Sequence, residues 1–287
     1  MTLARTVAGI RFPNPLLLAA GTAGFGREVA GVVRLDRVGG IMTKAVSLAP
    51  RAGNRAPRVA EISGAMLNSV GLANPGVEKV LAHDLPWLSR HHPGLAVLVN
   101  VVGFTPAEYA DVICVLDSLE GHRGYEINLS CPNTSAGGVE FGADAEAVAD
   151  VISRCRRVTQ RPLFAKLSPV LPNIPAMARV ARDAGADGIS LVNTLPGTAY
   201  DGSEPRLGNG FGGVSGPALR PVGLLAVSRT ASALPGVPII GIGGVSRAEH
   251  VRDYLRAGAS LVAIGTAALA DPHLPERLVA ELERTDG

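Results

Sequence analysis

Cys131 lies between two asparagines, Asn128 and Asn133, in the stretch Glu126-Ile127-Asn128-Leu129-Ser130-Cys131-Pro132-Asn133-Thr134-Ser135-Ala136-Gly137-Gly138. A thiolate is a base or a nucleophile. Each amide both donates and accepts hydrogen bonds, which suits a planar heterocycle carrying carbonyl and ring N–H groups. The apolar run from Tyr125 to Leu129 reads as a strand, and Pro132, which has no backbone N–H, cannot continue it. Cys131 is therefore expected at a strand's C-terminal end, with Gly137-Gly138 letting the next loop fold over a bound molecule. The competing structural reading is a small buried thiol flanked by turn formers.

Other segments carry similar chemistry. Lys44 and Lys166 close short apolar runs, where an unpaired cation is costly. One reading places a lysine beside the pyrimidine edge of a flavin, where negative charge develops on reduction. The other is an imine-forming lysine of a lyase or aldolase. Pro238-Ile239-Ile240-Gly241-Ile242-Gly243-Gly244 and Leu261-Val262-Ala263-Ile264-Gly265-Thr266 end in bare backbone. Such loops hold a phosphate well, and the single phosphate of FMN would fit. Ser215-Gly216-Pro217 offers a further donor, whereas tight turns alone would also explain the glycines. His83, His91 and His92 share no ligand-like spacing with carboxylates, so no metal site is expected.

These segments recur at the ends of predicted strands. Strands are expected at 16–20, 41–44, 95–102, 124–130, 162–167, 188–193, 237–242 and 260–265. Helices are expected after Gly26 to about Arg37, then at 76–92, 106–119, 143–158, 174–184, 219–233, 247–257 and 274–284. Eight near-continuous apolar strands alternating with helices predict a (β/α)8 TIM barrel, an α/β fold whose strand C-termini share one mouth. A doubly wound open sheet is the alternative. Leu3 to Phe12 predicts an N-terminal hairpin plugging the bottom. Two long excursions, 47–75 and 195–218, are expected at the mouth, since loops of that length are usually functional. With no linker in view, residues 1–287 are expected to form a single barrel domain.

Composition excludes several functions. The 287 residues carry a formal net charge of +2, 47% hydrophobic and 4% aromatic residues, which argues against a nucleic-acid groove or a membrane surface. Cys114, Cys131 and Cys155 show no paired spacing and suit reduced thiols. No apolar run reaches a membrane span and no signal segment opens the chain, so a cytoplasmic location is expected.

The sequence resembles the dihydroorotate dehydrogenases nearly end to end. The resemblance is carried by Asn128-Leu129-Ser130-Cys131-Pro132-Asn133, Met66-Leu67-Asn68-Ser69-Val70-Gly71-Leu72-Ala73-Asn74-Pro75-Gly76, Lys166-Leu167-Ser168-Pro169, Asn193-Thr194 and Ile242-Gly243-Gly244. It implies an FMN-containing (β/α)8 barrel that oxidises dihydroorotate to orotate in pyrimidine biosynthesis. Cys131 matches the catalytic base and marks class 1; class 2 uses serine. Lys44, Asn68, Ser69, Val70, Gly71, Leu72, Asn128, Asn133, Asn193 and Thr194 match substrate-binding positions. Ala20, Gly21, Lys44, Ala45, Asn100, Asn128, Lys166, Val192, Gly216, Gly243, Gly244, Gly265 and Thr266 match FMN positions. The sequence departs from the family pattern at Ala20, where serine is common, and at Ser63-Gly64-Ala65.

Thr134 to Gly142 and Lys44-Ala45 leading to Pro50-Arg51-Ala52-Gly53-Asn54 resemble the NAD-linked class 1B subfamily. That resemblance implies a homodimer, or a heterotetramer with a subunit carrying FAD and a [2Fe-2S] cluster. The alternatives are another FMN barrel acting on a dihydropyrimidine or dihydrouridine, and a flavin-free lyase or aldolase using Lys166.

Overall fold

Eight short parallel strands close into a barrel in the computed structural model, which describes residues 3–130, 132–133 and 139–286. In chain order the barrel strands are β3 (Leu16–Leu18), β4 (Gly40–Met42), β7 (Ala96–Val101), β8 (Gly124–Asn128), β11 (Leu163–Leu167), β12 (Gly188–Leu191), β17 (Ile239–Ile242) and β18 (Leu261–Ile264). The last pairs with the first, Ile264 beside Leu18. All of their residues are buried, as a sheet covered on both faces requires. The expected (β/α)8 barrel is therefore observed.

The barrel interior is a separate apolar cluster including Leu17, Leu98, Phe164, Ile240 and Leu261. The predicted hairpin, β1 (Arg5–Val7) with β2 (Ile10–Phe12), closes it from below by packing Val7, Ile10 and the fully buried Phe12 into the same cluster. A second cluster lies between the strands and the outer helices.

Those helices are α1 (Val77–Lys79) and α2 (Leu85–His91) with a π-helical turn, Val80–Asp84, between them; α3 (Pro106–Leu116), α4 (Ala145–Val158), α5 (Ile174–Asp183), α6 (Arg220–Ala233), α7 (Ala248–Arg256), α8 (Thr266–Ala270) and α9 (Leu274–Asp286) follow. Pro86 has no N–H to give the preceding turn, which accounts for the wider π turn. Thr105 and Glu108 form a reciprocal cap at the start of α3: the Thr105 hydroxyl accepts from Glu108 N–H at 3.3 Å, and the Glu108 carboxylate from Phe104 N–H at 2.8 Å.

The structure corrects the sequence in three places. The helix expected up to Arg37 is a series of single turns. Gly24 and Gly26 take φ of 57° and 86°, and the Glu28 carboxylate accepts from Phe25 N–H at 2.9 Å, so the first turn is spent locally. Short helix α8, ahead of α9, was not anticipated.

The two excursions are also more ordered than loops. β5 (Val59–Ile62) and β6 (Ala65–Asn68) from the first join β13 (Leu195–Gly197) and β16 (Gly212–Ser215) from the second in one antiparallel sheet, order β13-β16-β6-β5. A small core of Ala60, Leu67 and Leu207 lies under it. A two-strand ribbon, β14 (Tyr200–Asp201) with β15 (Glu204–Pro205), extends from the second excursion. Later in the chain than β8, β9 (Pro132–Asn133) pairs with β10 (Val139–Glu140).

At the opposite end from the mouth, the Tyr125 hydroxyl donates to Asp117 at 2.9 Å and meets His122 Nε2 at 2.8 Å, while Thr159 and Arg161 reach the same Asp117 oxygen at 2.6 and 3.1 Å. Burial, reinforced by the Arg161 guanidinium, lowers His122 to about 4. The folded protein thus favours neutral His122 while the unfolded chain protonates near 6.5. Its contribution is intact above pH 6.5 and is lost as pH falls towards 4, amounting to about 3 kcal/mol at most. Urea unfolding at pH 7 and pH 4.5 should show this loss in the wild type, and His122→Gln should flatten it. An equal loss in both proteins would place the acid sensitivity elsewhere.

Candidate active site

A parallel barrel carries every strand C-terminus to one rim, and several of the predicted site residues among those described sit on it. Asn100, Asn128, Lys166 and Ser190 come from consecutive strands β7, β8, β11 and β12. Register pairs Lys166 with Asn128 on one side and with Ser190 on the other. Lys166 is buried, and its Nζ lies 3.5 Å from Glu126 Oε2; the same oxygen accepts from the Asn100 amide at 2.6 Å. Glu126 is fully buried two residues before Asn128, on the same interior face of β8.

A second group of amides converges above this layer. Asn128 Oδ1 accepts from Ser130 N–H at 3.3 Å and from the Asn193 amide at 3.4 Å. Tyr109, fully buried on α3, fixes the Asn128 carbonyl through its hydroxyl at 2.8 Å. Asn193 Oδ1 accepts from Thr194 N–H at 2.9 Å, and Thr194 packs so closely on Gly213 that a Cβ there would overlap it. The Asn68 amide donates to the carbonyl of that same Gly213 at 3.3 Å. The sheet built from the two excursions therefore delivers Asn68 and Thr194 to the mouth beside Asn128 and Asn193.

The next residues, Ser69, Val70, Gly71 and Leu72, turn back over Asn54. Asn54 donates to Ser69 Oγ at 2.8 Å and through its N–H to Val70 O at 3.1 Å, with Gly71 and Leu72 at φ of 70° and 57°. Asn74, buried, ties both ends of this excursion by accepting from Ser47 and Gly76 N–H.

The glycine-rich ends form a third group. Thr266 donates to Ser215 Oγ at 2.8 Å, Gly265 lies against Ala19 and Thr22, and a Cβ on Gly244 would come within 3.0 Å of Gly216 O. Ala20, Gly21, Gly216, Gly243, Gly244, Gly265 and Thr266 are thus gathered around the ends of β17, β18 and β3. Val192 is buried beside them, its N–H donating to Ile242 O at 3.1 Å. Lys44 follows β4 with its N–H on Gly24 O at 2.7 Å; it is half-buried and makes no ion pair among the described residues, and Ala45 beside it is buried. Cys131 lies outside the described residues, as does the side chain of Asn133.

Sequence reasoning marked Thr43 with Lys44 as a polar strand end but missed Glu126, Tyr109 and Ser190. Thr43 accepts from Asn100 N–H at 3.2 Å and holds the Lys44 carbonyl at 2.9 Å. Strand alternation offered a signal for Glu126, because it shares the inward face with Asn128. Cys155, buried on α4 with burial pushing its thiol up to about 12, is structural.

The donor set fits FMN. Glycines at positive φ (Gly216 102°, Gly243 130°, Gly244 67°) expose bare backbone on one side of the mouth. On the other, Lys166 supplies a cation, and the buried Asn100 Oδ1 is an acceptor with no partner among the described residues. Imine chemistry fits poorly, because it needs a free neutral amine and Lys166 is engaged by a carboxylate.

The family model for dihydroorotate dehydrogenase matches residues 2–285. This barrel, with its polar rim, therefore belongs to the dihydroorotate dehydrogenase family, whose members depend on FMN. Within the family it resembles the class 1B catalytic subunits. It is 43% identical to the dihydroorotate dehydrogenase B (NAD(+)) catalytic subunit of Pelobacter propionicus, over 97% of this chain and 91% of that protein. It is 45% identical to a putative dihydroorotate dehydrogenase A (fumarate) of Solibacter usitatus, over 98% and 92%. The crystal structure of DHODH from Eimeria tenella in complex with ferulenol shares the fold, with a TM-score of 0.83 at 22% identity over 98% of this chain and 83% of that one.

Gly244→Ala tests the glycine cradle. The added Cβ would meet Arg220 Cβ at 2.6 Å and adopt a φ that L-residues disfavour by about 1–2 kcal/mol. FMN affinity, measured by quenching of flavin fluorescence, should fall about tenfold or more while far-ultraviolet dichroism is preserved; unchanged affinity would remove Gly244 from the cofactor site.

Proposed function

We propose that this chain oxidises (S)-dihydroorotate to orotate, a step towards UMP in pyrimidine biosynthesis, as a single FMN-binding barrel domain in the cytoplasm. The observation that carries this reading is the meeting of Asn68, Asn128, Asn193 and Thr194 above Lys166, next to the glycine-rich strand ends. No helix among the described residues is long and apolar enough to cross a membrane.

Bound FMN would supply the acceptor for the hydride that leaves C6 of the substrate. The protein has to hold the substrate ring, complement its carboxylate and take one proton. The amides of Asn68, Asn128, Asn133 and Asn193 supply donors and acceptors to the ring amides, and Lys44, half-buried and without an anionic partner among the described residues, supplies charge for the carboxylate. Ser69, Val70, Gly71 and Leu72 form the turn that closes over the ring. On the flavin side stand Ala20, Gly21, Ala45, Asn100, Lys166, Val192, Gly216, Gly243, Gly244, Gly265 and Thr266.

Cys131 is assigned as the base that takes the proton from C5, on the strength of its place three residues after Asn128 and directly before Pro132. A thiol with an ordinary pKa near 8.5 is only a few per cent thiolate at pH 7, so turnover should rise between pH 6 and pH 9. In the class 1B reading the electrons pass to a partner subunit carrying FAD and a [2Fe-2S] cluster and then to NAD, within a heterotetramer built on a homodimer of this chain.

Two assays check this. Cys131→Ala should lower turnover about 10²–10⁴-fold with one FMN per chain retained; unchanged turnover would exclude Cys131 as the base, and loss of FMN would make it structural. Reduction of NAD only when the iron–sulfur subunit is added supports the partner assignment, whereas efficient turnover with fumarate by the chain alone contradicts it.

A further inference from the structure

Glu126 faces the barrel interior one step below Asn128 on β8, beside Asn100 and below Lys166, and it has no part in binding substrate as described above. It is fully buried in the middle of three adjacent strands, β7, β8 and β11, with Asn100 from one neighbour at 2.6 Å and Lys166 from the other at 3.5 Å. Phe164, the register neighbour of Glu126 on β11, is apolar, as is Leu98 two residues before Asn100 on β7, so this site could have been filled by a hydrophobic side chain.

Stability alone gives little reason for the carboxylate. Replacing a buried ion pair with apolar groups of similar volume is often neutral or stabilising. This pair is also incompletely satisfied: Glu126 Oε1 and Asn100 Oδ1 have no hydrogen-bond partner among the described residues. An unpartnered buried oxygen is a cost that the fold did not require.

We infer that Glu126 is a positioning residue for Lys166, holding the ammonium at the mouth and offsetting part of its charge so that reduction of the bound flavin is restrained. The inference rests on the FMN reading given above. Reduced flavin carries more negative charge than oxidised flavin, and a lysine alone would favour it strongly. A carboxylate against that lysine weakens the preference and keeps the reduced cofactor able to pass its electrons on.

The test is the midpoint potential of bound FMN, read by anaerobic spectroelectrochemistry on the whole chain, for wild type, Glu126→Gln and Glu126→Asp. Glu126→Gln keeps the shape and removes the charge. At a fixed potential its ratio of reduced to oxidised flavin should rise about tenfold, which for a two-electron couple is about 30 mV upward. Glu126→Asp keeps the charge but withdraws it from Lys166, and should shift the same way by less. An unchanged or lowered potential in a Glu126→Gln protein that retains FMN overturns the inference. So does failure of both variants to fold, which would make the carboxylate a structural element. A wild-type chain that takes up no FMN overturns the functional reading itself, and is told apart because it fails before any substitution.

Discussion

Closure of eight parallel strands of three to six residues is the constraint on which the rest depends. Both faces of every strand are covered, so polar side chains can be accommodated chiefly at the rim. Below the rim the interior is Leu17, Leu98, Phe164, Ile240 and Leu261, sealed by the hairpin residues Val7, Ile10 and Phe12. Above it stand Asn100, Glu126, Asn128, Lys166 and Ser190. The ion pair and the hydrogen bond they share offset part of the cost of burying these groups, while Glu126 Oε1, Asn100 Oδ1 and Ser190 Oγ stay buried with no partner among the described residues.

The rim alone does not complete the site. Asn68 comes from residues 47–75 and Thr194 leads into residues 195–218, segments far apart in sequence. Their strands β5, β6, β13 and β16 pair into one sheet, and Gly213 links Asn68 to Thr194 across it. Ser215 continues the same strand down to Thr266 at the glycine-rich ends. The small sheet thus couples the amide group to the cradle assigned to the phosphate, and loss of its packing would disturb both.

Much of this was legible in the sequence, for physical reasons that can be named. Runs such as Ala96–Val101 and Leu163–Leu167 are apolar on both faces, which marks buried parallel strands, and capped amphipathic segments such as Ala145–Val158 mark the helices between them. The rim residues followed from where those strands stop. Strands β5, β6, β13 and β16 were hidden because they are three or four residues long, with glycine in β13 and β16, so that only pairing between distant segments makes them strands. The helix expected before Arg37 failed because Gly24, Gly26 and the Glu28 side chain favour separate turns. Glu126 was visible in the alternation of β8, but its partners Lys166 and Asn100 lie on neighbouring strands and only the closed barrel brings them together.

The central claim is that this mouth holds FMN and reduces it with dihydroorotate. The direct measurement is the visible spectrum of the purified chain under anaerobic conditions, before and after dihydroorotate is added. The account predicts a yellow protein whose flavin absorbance bleaches on addition. A yellow protein that fails to bleach would keep the FMN barrel and contradict the substrate, and a colourless protein that takes up no FMN would contradict the site as a whole.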